Sequence, residues 1–198
     1  MIPLRLSELA ALLGCESPAQ DVEITAITTD SRKAAPGALF AALPGERFDG
    51  HDFCASAVRL GATTLLVSQP VEADAPQLRV DDVLIALGRI AGLVRERLQP
   101  KVVGITGSNG KTTVKEMVAA ILARRGSVLA TRGNYNNELG LPLTLFRLQP
   151  EHRYAVLEMG AGKTGDIAYL ADIAKPDVGL VNNIAPAHLE GFGSLEGV

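Results

Sequence analysis

The sequence has few of the residues that mark secreted, metal-binding or membrane proteins. It contains no tryptophan and only two cysteines, Cys15 and Cys54. Neither cysteine belongs to a Cys-x-x-Cys pair, so no metal-ligand spacing is visible and both are expected to be free, buried thiols in a reducing compartment. No apolar run approaches the 18 or so residues of a membrane-spanning helix. Because the N-terminus also lacks a signal-peptide pattern, we expect no membrane span and a cytoplasmic location.

The chain likewise lacks the surplus of basic residues that nucleic-acid binding needs. Its formal net charge is −3, which argues against nucleic acid as the main partner. Hydrophobic residues make up 47% and charged residues 21% of the chain. This composition predicts a soluble globular protein with enough apolar residues for a sizeable core. The 198 residues suffice for one large or two small domains.

One stretch organises the rest of the chain. Residues 101–106 form a short apolar, β-branched run that predicts a buried strand. A glycine-rich turn, Gly107-Ser-Asn-Gly110, follows it, and from Lys111 onward apolar residues recur at helical spacing. These apolar residues are Val114, Met117, Val118, Ile121 and Leu122. Strand, glycine-rich turn and helix are the three parts of a phosphate-binding loop.

The residue types of this loop suit the binding of a nucleoside triphosphate. Gly107 and Gly110 let the backbone approach an anion, and the N–H groups of residues 109–113, at the helix start, are predicted to point at phosphates. Lys111 supplies positive charge, the Thr112 hydroxyl can bind Mg²⁺, and Thr113 is a second hydroxyl. The usual G-x-x-x-x-G-K-[ST] pattern is imperfect here because Ile105 occupies the first glycine position. The alternative is a chance Gly-Lys-Thr turn before a helix.

Strands and helices alternate along the whole chain, which predicts an α/β fold with mostly parallel sheets. A proline-containing polar stretch at 69–77 suggests a boundary, so we predict two domains at residues 1–80 and 81–198. Ligands of parallel sheets bind at the carboxyl ends of the strands. The phosphate-binding loop, Glu158 and the segment Asn182–Asn183 are all predicted to lie at such ends.

Several polar residues have both a functional and a structural interpretation. Glu158 could bind Mg²⁺ or be an ordinary acid at a strand end. His188 could be a metal ligand, although a lone histidine is usually structural. Arg32 indicates an anion site only weakly, since the Asp30-Ser-Arg32 segment could be a helix-capping turn. The loop asparagines are either turn residues or substrate ligands, and composition does not decide between these roles: Asn134, Asn136 and Asn137.

Taken together, these segments resemble the Mur ligase family of ATP-dependent amide ligases in peptidoglycan precursor synthesis. The resemblance covers nearly the whole chain. The N-terminal part is similar to the family's small uridine-nucleotide-binding domain through Asp30-Ser-Arg32, Pro36-Gly37, Leu39-Phe40, Gly45 and Asp49-Gly-His51. Residues 104–113 resemble the family's ATP loop, in which the early Gly104 is normal. The resemblance therefore implies a P-loop-type central domain after the uridine-nucleotide-binding domain.

Three later motifs resemble those of the family members that add D-alanyl-D-alanine. They are Asn134-Tyr-Asn-Asn-Glu-Leu-Gly-Leu-Pro-Leu-Thr144, Glu158-Met-Gly-Ala161 and Ala187-His-Leu-Glu-Gly-Phe-Gly193. One departure from the family pattern is Gly162-Lys-Thr164. The resemblance implies that the carboxylate of UDP-N-acetylmuramoyl-tripeptide attacks the γ-phosphate of ATP, and that the amine of D-alanyl-D-alanine then attacks the acyl phosphate.

The resemblance also implies roles for individual residues. Lys111 and His188 would be catalytic, and Thr112, Glu158 and His188 would bind Mg²⁺. Two loops would bind the UDP-N-acetylmuramoyl-tripeptide substrate, through Ser31, Arg32, Asn134 and Asn137. ATP would be bound by the loop residues Gly107, Ser108, Asn109, Gly110, Lys111, Thr112 and Thr113.

Family members continue beyond the motif that ends this chain. We therefore expect an N-terminal fragment, with an incomplete central domain, that is inactive alone, and a monomer. The family's carbamylated lysine would follow Val198. The alternatives are a non-catalytic module that binds nucleotide or UDP-substrate, another Mur-type ligase, or a folylpolyglutamate-type ligase. The Asp30-Ser-Arg32 domain argues against the last of these.

Overall fold

The computed structural model describes residues 1–16, 18–45 and 48–198. They form two compact units, residues 1–90 and 91–198. The division falls within one helix, later in the chain than the boundary at 80/81 predicted above, and the domain limits remain a prediction. Among the residues described, none of the helices has the length and apolar character that a membrane crossing requires.

The first unit is built on a parallel sheet of four strands in the order β3-β4-β5-β6. The strands are β3 (Ala26–Thr28), β4 (Ala38–Ala41), β5 (Ala62–Val67) and β6 (Gln77–Arg79). A short antiparallel pair, β1 (Leu4–Arg5) and β2 (Glu23–Ile24), precedes them. The helices of this unit are α1 (Leu6–Leu13) and α2 (Cys54–Arg59), with 3₁₀ turns at Ser31–Lys33 and Gly50–Phe53. Helix α3 (Val83–Leu98) begins in the first unit and ends in the second.

Helix ends in this unit follow the local sequence with one exception. Gly14 ends α1 in the left-handed conformation, φ 74°, which glycine adopts at little cost. Asp82 caps α3 by accepting hydrogen bonds from the N–H groups of Leu84 and Ile85, as its position predicts. At the start of α1, Arg5 provides no side-chain cap, and the N–H of Ser7 donates instead to the carboxylate of Asp21. The carboxylate of Asp21, from outside the helix, takes the capping role.

The second unit contains a parallel sheet in the order β10-β7-β9-β8. Its strands are β7 (Lys101–Thr106), β8 (Ser127–Ala130), β9 (His152–Glu158) and β10 (Val178–Val181). The helices are α4 (Lys111–Ala123), α5 (Gly140–Leu145), α6 (Asp166–Ala174) and the short α7 (Leu189–Phe192). The α/β fold with parallel sheets is as predicted. Strand β10 ends at Val181, so Asn182 and Asn183 follow directly at its carboxyl end, as predicted.

Gly104 lies in the middle of β7, where an added side chain would have to displace its neighbours. A Cβ atom at this position would lie 2.9 Å from Met159 Cε and 3.3 Å from Pro176 Cβ. Glycine therefore lets Met159 and the turn after α6 pack against the strand that leads into the phosphate-binding loop. This close packing gives a physical reason for glycine at position 104. A role in contacting phosphate does not give such a reason.

Candidate functional site

The glycine-rich loop joins β7 to α4 in the way that the sequence predicts. Gly107 has φ 137° and Gly110, the residue before α4, has φ 74°. The N–H of Val114 donates to the Gly110 carbonyl, so the N–H groups of residues 111–113 precede the helical hydrogen-bond ladder. These groups and the positive end of the helix dipole form an anion-binding helix start. The arrangement can hold the phosphates of a nucleotide.

The loop is braced by the segment after β10. The backbone N–H of Asn109 donates to Asn183 Oδ1 at 2.9 Å, and the side chains of Asn182 and Asn183 both donate to the Asn109 carbonyl. Ser108 Oγ donates to the Ala185 carbonyl at 2.9 Å. The Asn109 N–H, which was predicted to point at a phosphate, therefore donates to the Asn183 side chain, just after β10. Ser108 and Asn109 shape the loop in this structure.

Lys111 and Thr112 extend in different directions from the first turn of α4. Lys111 Nζ donates to the Gly107 carbonyl at 2.7 Å, which places its charge over the loop. Thr112 Oγ1 donates to Glu158 Oε2 at 2.9 Å. Thr113 is exposed. The structure thus brings Lys111, Thr112 and Glu158 together at one edge of the sheet, as the sequence predicts.

Glu158, at the end of β9, is buried and is hydrogen-bonded through both its side chain and its backbone. Only 3% of its surface is exposed. Its Oε1 accepts a hydrogen bond of 2.8 Å from Asn136 Nδ2, and its backbone N–H donates to Thr131 Oγ1 at 3.0 Å. With the Thr112 bond, both carboxylate oxygens are engaged. The start of α4 and the loop after β8, two segments distant in sequence, therefore fix Glu158 and hold its buried carboxylate in a single orientation.

Of the three loop asparagines, the one that contacts the site was not among the predicted site residues. Asn136 donates to Glu158, whereas Asn137 Oδ1 accepts from the N–H of Gly140 and so closes the turn before α5. Asn134 is exposed. Asn137 therefore has the turn role that the sequence left open. No signal in the run Asn-Tyr-Asn-Asn distinguishes Asn136, because its partner lies 22 residues away.

His188 lies in the segment after β10, close to the phosphate-binding loop. It precedes α7 with φ 50° and is exposed. A cavity of about 290 Å³ in the second unit is lined by His188 and Lys111 together. Other residues that line it are Thr106, Gly107, Ser108, Asn183, Ile184 and Ala187. Both residues predicted to be catalytic thus face one cavity.

The donor atoms around Glu158 suit a hard divalent cation. A carboxylate and a hydroxyl that lie 2.9 Å apart are oxygen ligands of the kind that Mg²⁺ prefers. His188 offers a nitrogen ligand, which suits Mg²⁺ less well. Within residues 1–16, 18–45 and 48–198, no cluster of three or more His, Cys, Asp or Glu side chains suited to a metal is found. Thr112 and Glu158 form a hydroxyl–carboxylate pair whose chemistry fits a magnesium ion.

The first unit places its candidate residues at the carboxyl end of β3. Asp30 accepts a hydrogen bond from the backbone N–H of Arg32 and pairs with its guanidinium through two further bonds of 2.8 and 2.9 Å. The hydrogen bond from Arg32 lowers the pKa of Asp30 below its usual value. The Arg32 side chain is 86% exposed. Ser31 begins the 3₁₀ turn beside it. These residues form a capping turn with a cation at the surface.

The fold and the loop define a nucleotide-binding protein of the P-loop type, in which a smaller α/β unit precedes the P-loop unit in the sequence. The chain belongs to the Mur ligase family. Its residues 23–95 match the Mur ligase family catalytic domain, and residues 105–198 match the Mur ligase middle domain.

Relatives and solved structures agree with this membership. The chain is 52% identical to UDP-N-acetylmuramoyl-tripeptide--D-alanyl-D-alanine ligase of Escherichia coli and 48% identical to that of Haemophilus influenzae, each across 100% of this chain. It spans 44% and 45% of those relatives. The crystal structure of MurF from Acinetobacter baumannii superposes with a TM-score of 0.91 at 43% identity, over 98% of this chain and 44% of that one. MurF from Thermotoga maritima in complex with ADP gives a TM-score of 0.82 at 38% identity, over 86% and 40%.

Proposed function

We propose that this chain supplies the UDP-substrate-binding and ATP-phosphate-binding parts of a ligase. That ligase would join D-alanyl-D-alanine to UDP-N-acetylmuramoyl-tripeptide at the expense of ATP. The observation that carries the proposal is the sequence identity to ligases of this name, which extends through both units and not only through the ATP loop. A ligase that shares the P-loop alone, such as a folylpolyglutamate-type ligase, does not account for identity over residues 1–90.

The proposed reaction has two steps in which the chain's own residues stabilise charge. First, a carboxylate oxygen of the tripeptide attacks the γ-phosphorus of ATP, the bond to ADP breaks, and an acyl phosphate forms. Then the amine of D-alanyl-D-alanine attacks the acyl carbon, phosphate leaves and the amine loses a proton. A carboxylate is a poor acyl donor, which is why it must be activated. Because both reactants of the first step are anions, charge stabilisation dominates the barrier.

Within this scheme, Lys111 and the N–H groups at the start of α4 would hold the β- and γ-phosphates. Thr112 and Glu158 would hold Mg²⁺, which screens the phosphate charge when bound. Asn136 would keep the Glu158 carboxylate in position because it donates to Oε1, and Thr131 would hold the Glu158 backbone because its hydroxyl accepts the Glu158 N–H. His188 lines the same cavity as Lys111, and its role as a further metal ligand rests on the family resemblance.

The UDP end of the substrate is assigned to the turn after β3. Arg32 presents an exposed guanidinium, and Ser31 lies beside it at the carboxyl end of a parallel strand, where ligands of such sheets bind. A guanidinium is well suited to a diphosphate because its planar N–H groups form paired hydrogen bonds. The present partner of Arg32, Asp30, would have to release it.

The test requires the parts of a ligase that lie beyond these residues in the relatives. Residues 1–198 are joined to the C-terminal remainder of the Escherichia coli relative, and this protein is here called the fused ligase. Phosphate release is measured with ATP, Mg²⁺, UDP-N-acetylmuramoyl-tripeptide and D-alanyl-D-alanine, and with each component omitted in turn. We expect turnover only with the complete mixture, and its loss when Lys111 is replaced. Turnover with a folate and glutamate in place of the two peptidoglycan substrates, or none with the complete mixture, contradicts the proposal.

A further inference from the structure

Lys115 is a buried lysine that neither the phosphate-binding loop nor the proposed reaction uses. It lies four residues after Lys111 on α4, and only 1% of its surface is exposed. Burying an ammonium group is unfavourable unless its hydrogen-bonding capacity is met. Lys115 Nζ donates to the Thr131 carbonyl at 2.7 Å and pairs with Glu116 Oε1 at 2.7 Å. The interior partner of this lysine is therefore a single backbone carbonyl.

That carbonyl belongs to the residue that holds Glu158. Thr131 follows β8 and is 2% exposed. Its N–H donates to the Val156 carbonyl, and its hydroxyl accepts the Glu158 N–H at 3.0 Å. Thr131 thus continues the β8–β9 pairing by one residue and ends at Glu158. A shift of Thr131 would move the backbone from which the Glu158 carboxylate projects.

Helix α4 is linked to Glu158 by two routes, one direct and one through Thr131. Thr112 and Lys115 are three residues apart, so they lie on the same face of the helix. Thr112 donates directly to Glu158 Oε2, and Lys115 reaches the Glu158 backbone through Thr131. Together the two routes fix the distance between the hydroxyl and the carboxylate, the pair of oxygen ligands that suits Mg²⁺.

We propose that Lys115 is a positioning residue for the magnesium site, acting through Thr131 on Glu158. The inference rests on the proposed function, because it assumes that Glu158 binds the metal of a metal–nucleotide complex. Groups that orient a metal ligand typically change metal affinity by 10- to 100-fold when they are removed. A lysine that only anchors the helix would instead change the stability of the fold and leave the metal dependence of nucleotide binding as it is.

The experiment measures ADP binding to the 198-residue chain by calorimetry, with excess Mg²⁺ and with EDTA. The ratio of the two dissociation constants reports how much the metal strengthens nucleotide binding. In Lys115→Met, which keeps an unbranched side chain without the ammonium group, we expect this ratio to fall about tenfold. Binding in EDTA should stay within about twofold, since the N–H groups at the start of α4 are unchanged.

Two further variants separate positioning from stability. Thr131→Val removes the hydroxyl that accepts the Glu158 N–H and keeps the carbonyl, so its ratio should fall to a similar degree. Thr144→Val is the matched control, because it deletes another buried threonine hydroxyl of the same unit, which donates to the Gly140 carbonyl away from Glu158. It should lower the unfolding temperature and leave the ratio as in wild type. If Lys115→Met does not fold, Thr131→Val decides by the same criterion.

The possible outcomes distinguish this inference from the proposed function. Suppose that the wild-type chain binds ADP more tightly with Mg²⁺ and that the folded variants show the same ratio of dissociation constants as wild type. This result overturns the role of Lys115 and leaves the proposed function intact. A ratio that falls equally in Thr144→Val also overturns it, because the effect would then follow general destabilisation. Wild-type chain that binds no ADP with Mg²⁺ at millimolar concentration counts against both.

Discussion

The hydroxyl of Thr112 lies 2.9 Å from Oε2 of Glu158, and this hydrogen bond joins residues 46 positions apart in the chain. Thr112 belongs to the first turn of α4 and Glu158 to the end of β9. The bond therefore links α4, the helix that follows the phosphate-binding loop, to β9, the strand that pairs with β7. A phosphate-binding helix start and a buried carboxylate are placed side by side, which is the arrangement that a metal-bound triphosphate requires.

We predict that Glu158→Gln removes the magnesium dependence of ATP use. Glutamine keeps the shape of the side chain and can still accept from Thr112, but it lacks the charge that attracts a divalent cation. Phosphate release by the fused ligase should fall by about a hundredfold or more at saturating ATP, which corresponds to about 3 kcal/mol of transition-state stabilisation.

The control for this change is Glu151→Gln, an exposed glutamate of the same unit. It should leave phosphate release and the unfolding temperature near the wild-type values. A Glu158→Gln variant with wild-type turnover and an unchanged response to Mg²⁺ would exclude Glu158 as a metal ligand.

We predict that Lys111→Ala abolishes productive ATP use. Its ammonium group is held over the loop by the Gly107 carbonyl, at the start of the helix where phosphates would bind. Losing charge stabilisation of this kind costs about 3 kcal/mol, or about a hundredfold in phosphate release by the fused ligase.

Lys101→Ala serves as the comparison, because Lys101 is also a lysine of the second unit. Its side chain is 73% exposed and forms a surface ion pair with Asp177. Such pairs contribute little to stability. Near-wild-type phosphate release by Lys111→Ala would refute its role at the phosphates.

Local patterns predicted the framework of the site because its elements have strong sequence signals. The β-branched run over 101–106 forms a strand with the predicted bounds, and the helix begins at Lys111 as predicted. Parallel topology then required the ends of neighbouring strands to meet at one edge. The proximity of Thr112 and Glu158 follows from that rule and from nothing in the sequence between them.

The contacts that hold the site in place were not predictable from such patterns. Periodicity placed Met117 and Ile121 on the apolar face of α4, yet they are 60% and 65% exposed, while Lys115 is buried. A lysine inside the fold is stable here because the Thr131 carbonyl, 16 residues away, accepts from it. Asn136 and Asn183 likewise gain their roles from partners distant in sequence. Propensity describes neighbours along the chain, whereas these roles depend on tertiary contacts.

We predict that Gly107→Ala destabilises the second unit and weakens nucleotide binding. Gly107 has φ 137°, a conformation that L-residues rarely adopt, and an added Cβ would lie 3.0 Å from both N and O of Asn183. Strain of this kind typically costs about 1–3 kcal/mol. Thermal unfolding of the 198-residue chain should therefore begin at a lower temperature than in wild type.

Gly179→Ala is the matched control, since a Cβ at Gly179 has no atom within 4 Å. Its unfolding temperature should stay close to that of wild type. Equal unfolding temperatures for Gly107→Ala and wild type would show that the loop accommodates a side chain.

We predict that the two cysteines differ in reactivity. Both are free thiols, but Cys54 is buried whereas Cys15 is only partly buried, which corrects the expectation that both lie inside. Burial raises the pKa of Cys54 from 9.0 to about 11, so at pH 8 almost none of it is thiolate, the reactive form. Burial raises the pKa of Cys15 as well, but this thiol is only partly buried. A disulfide reagent at pH 8 should therefore react faster with Cys15 than with Cys54 in the folded chain, and quickly with both after unfolding.

The Cys15→Ser variant should lose the fast reaction and keep the slow one. Because the pKa of Cys54 is raised in the folded state, the stability of the fold also depends on pH. The folded state disfavours its thiolate, so this group's contribution to stability is present below pH 9 and is lost as the pH rises towards 11. Fast labelling of two thiols in the folded protein would contradict the buried position of Cys54.

We predict that Arg32→Ala raises the KM of the fused ligase for UDP-N-acetylmuramoyl-tripeptide and leaves the KM for ATP nearly unchanged. Arg32 belongs to the first unit, and its guanidinium is 86% exposed and paired with Asp30. An exposed ion pair of this kind is weak, so a diphosphate can replace Asp30 as the partner. Removing a charged hydrogen-bond donor from a bound anion costs about 1.5–3 kcal/mol, or about 10- to 100-fold in KM.

The neighbouring exposed lysine provides the control: Lys33→Ala should change both KM values by less than about threefold. If Arg32→Ala raises both KM values equally, or if Lys33→Ala has the same effect, the turn after β3 does not bind the UDP end of the substrate.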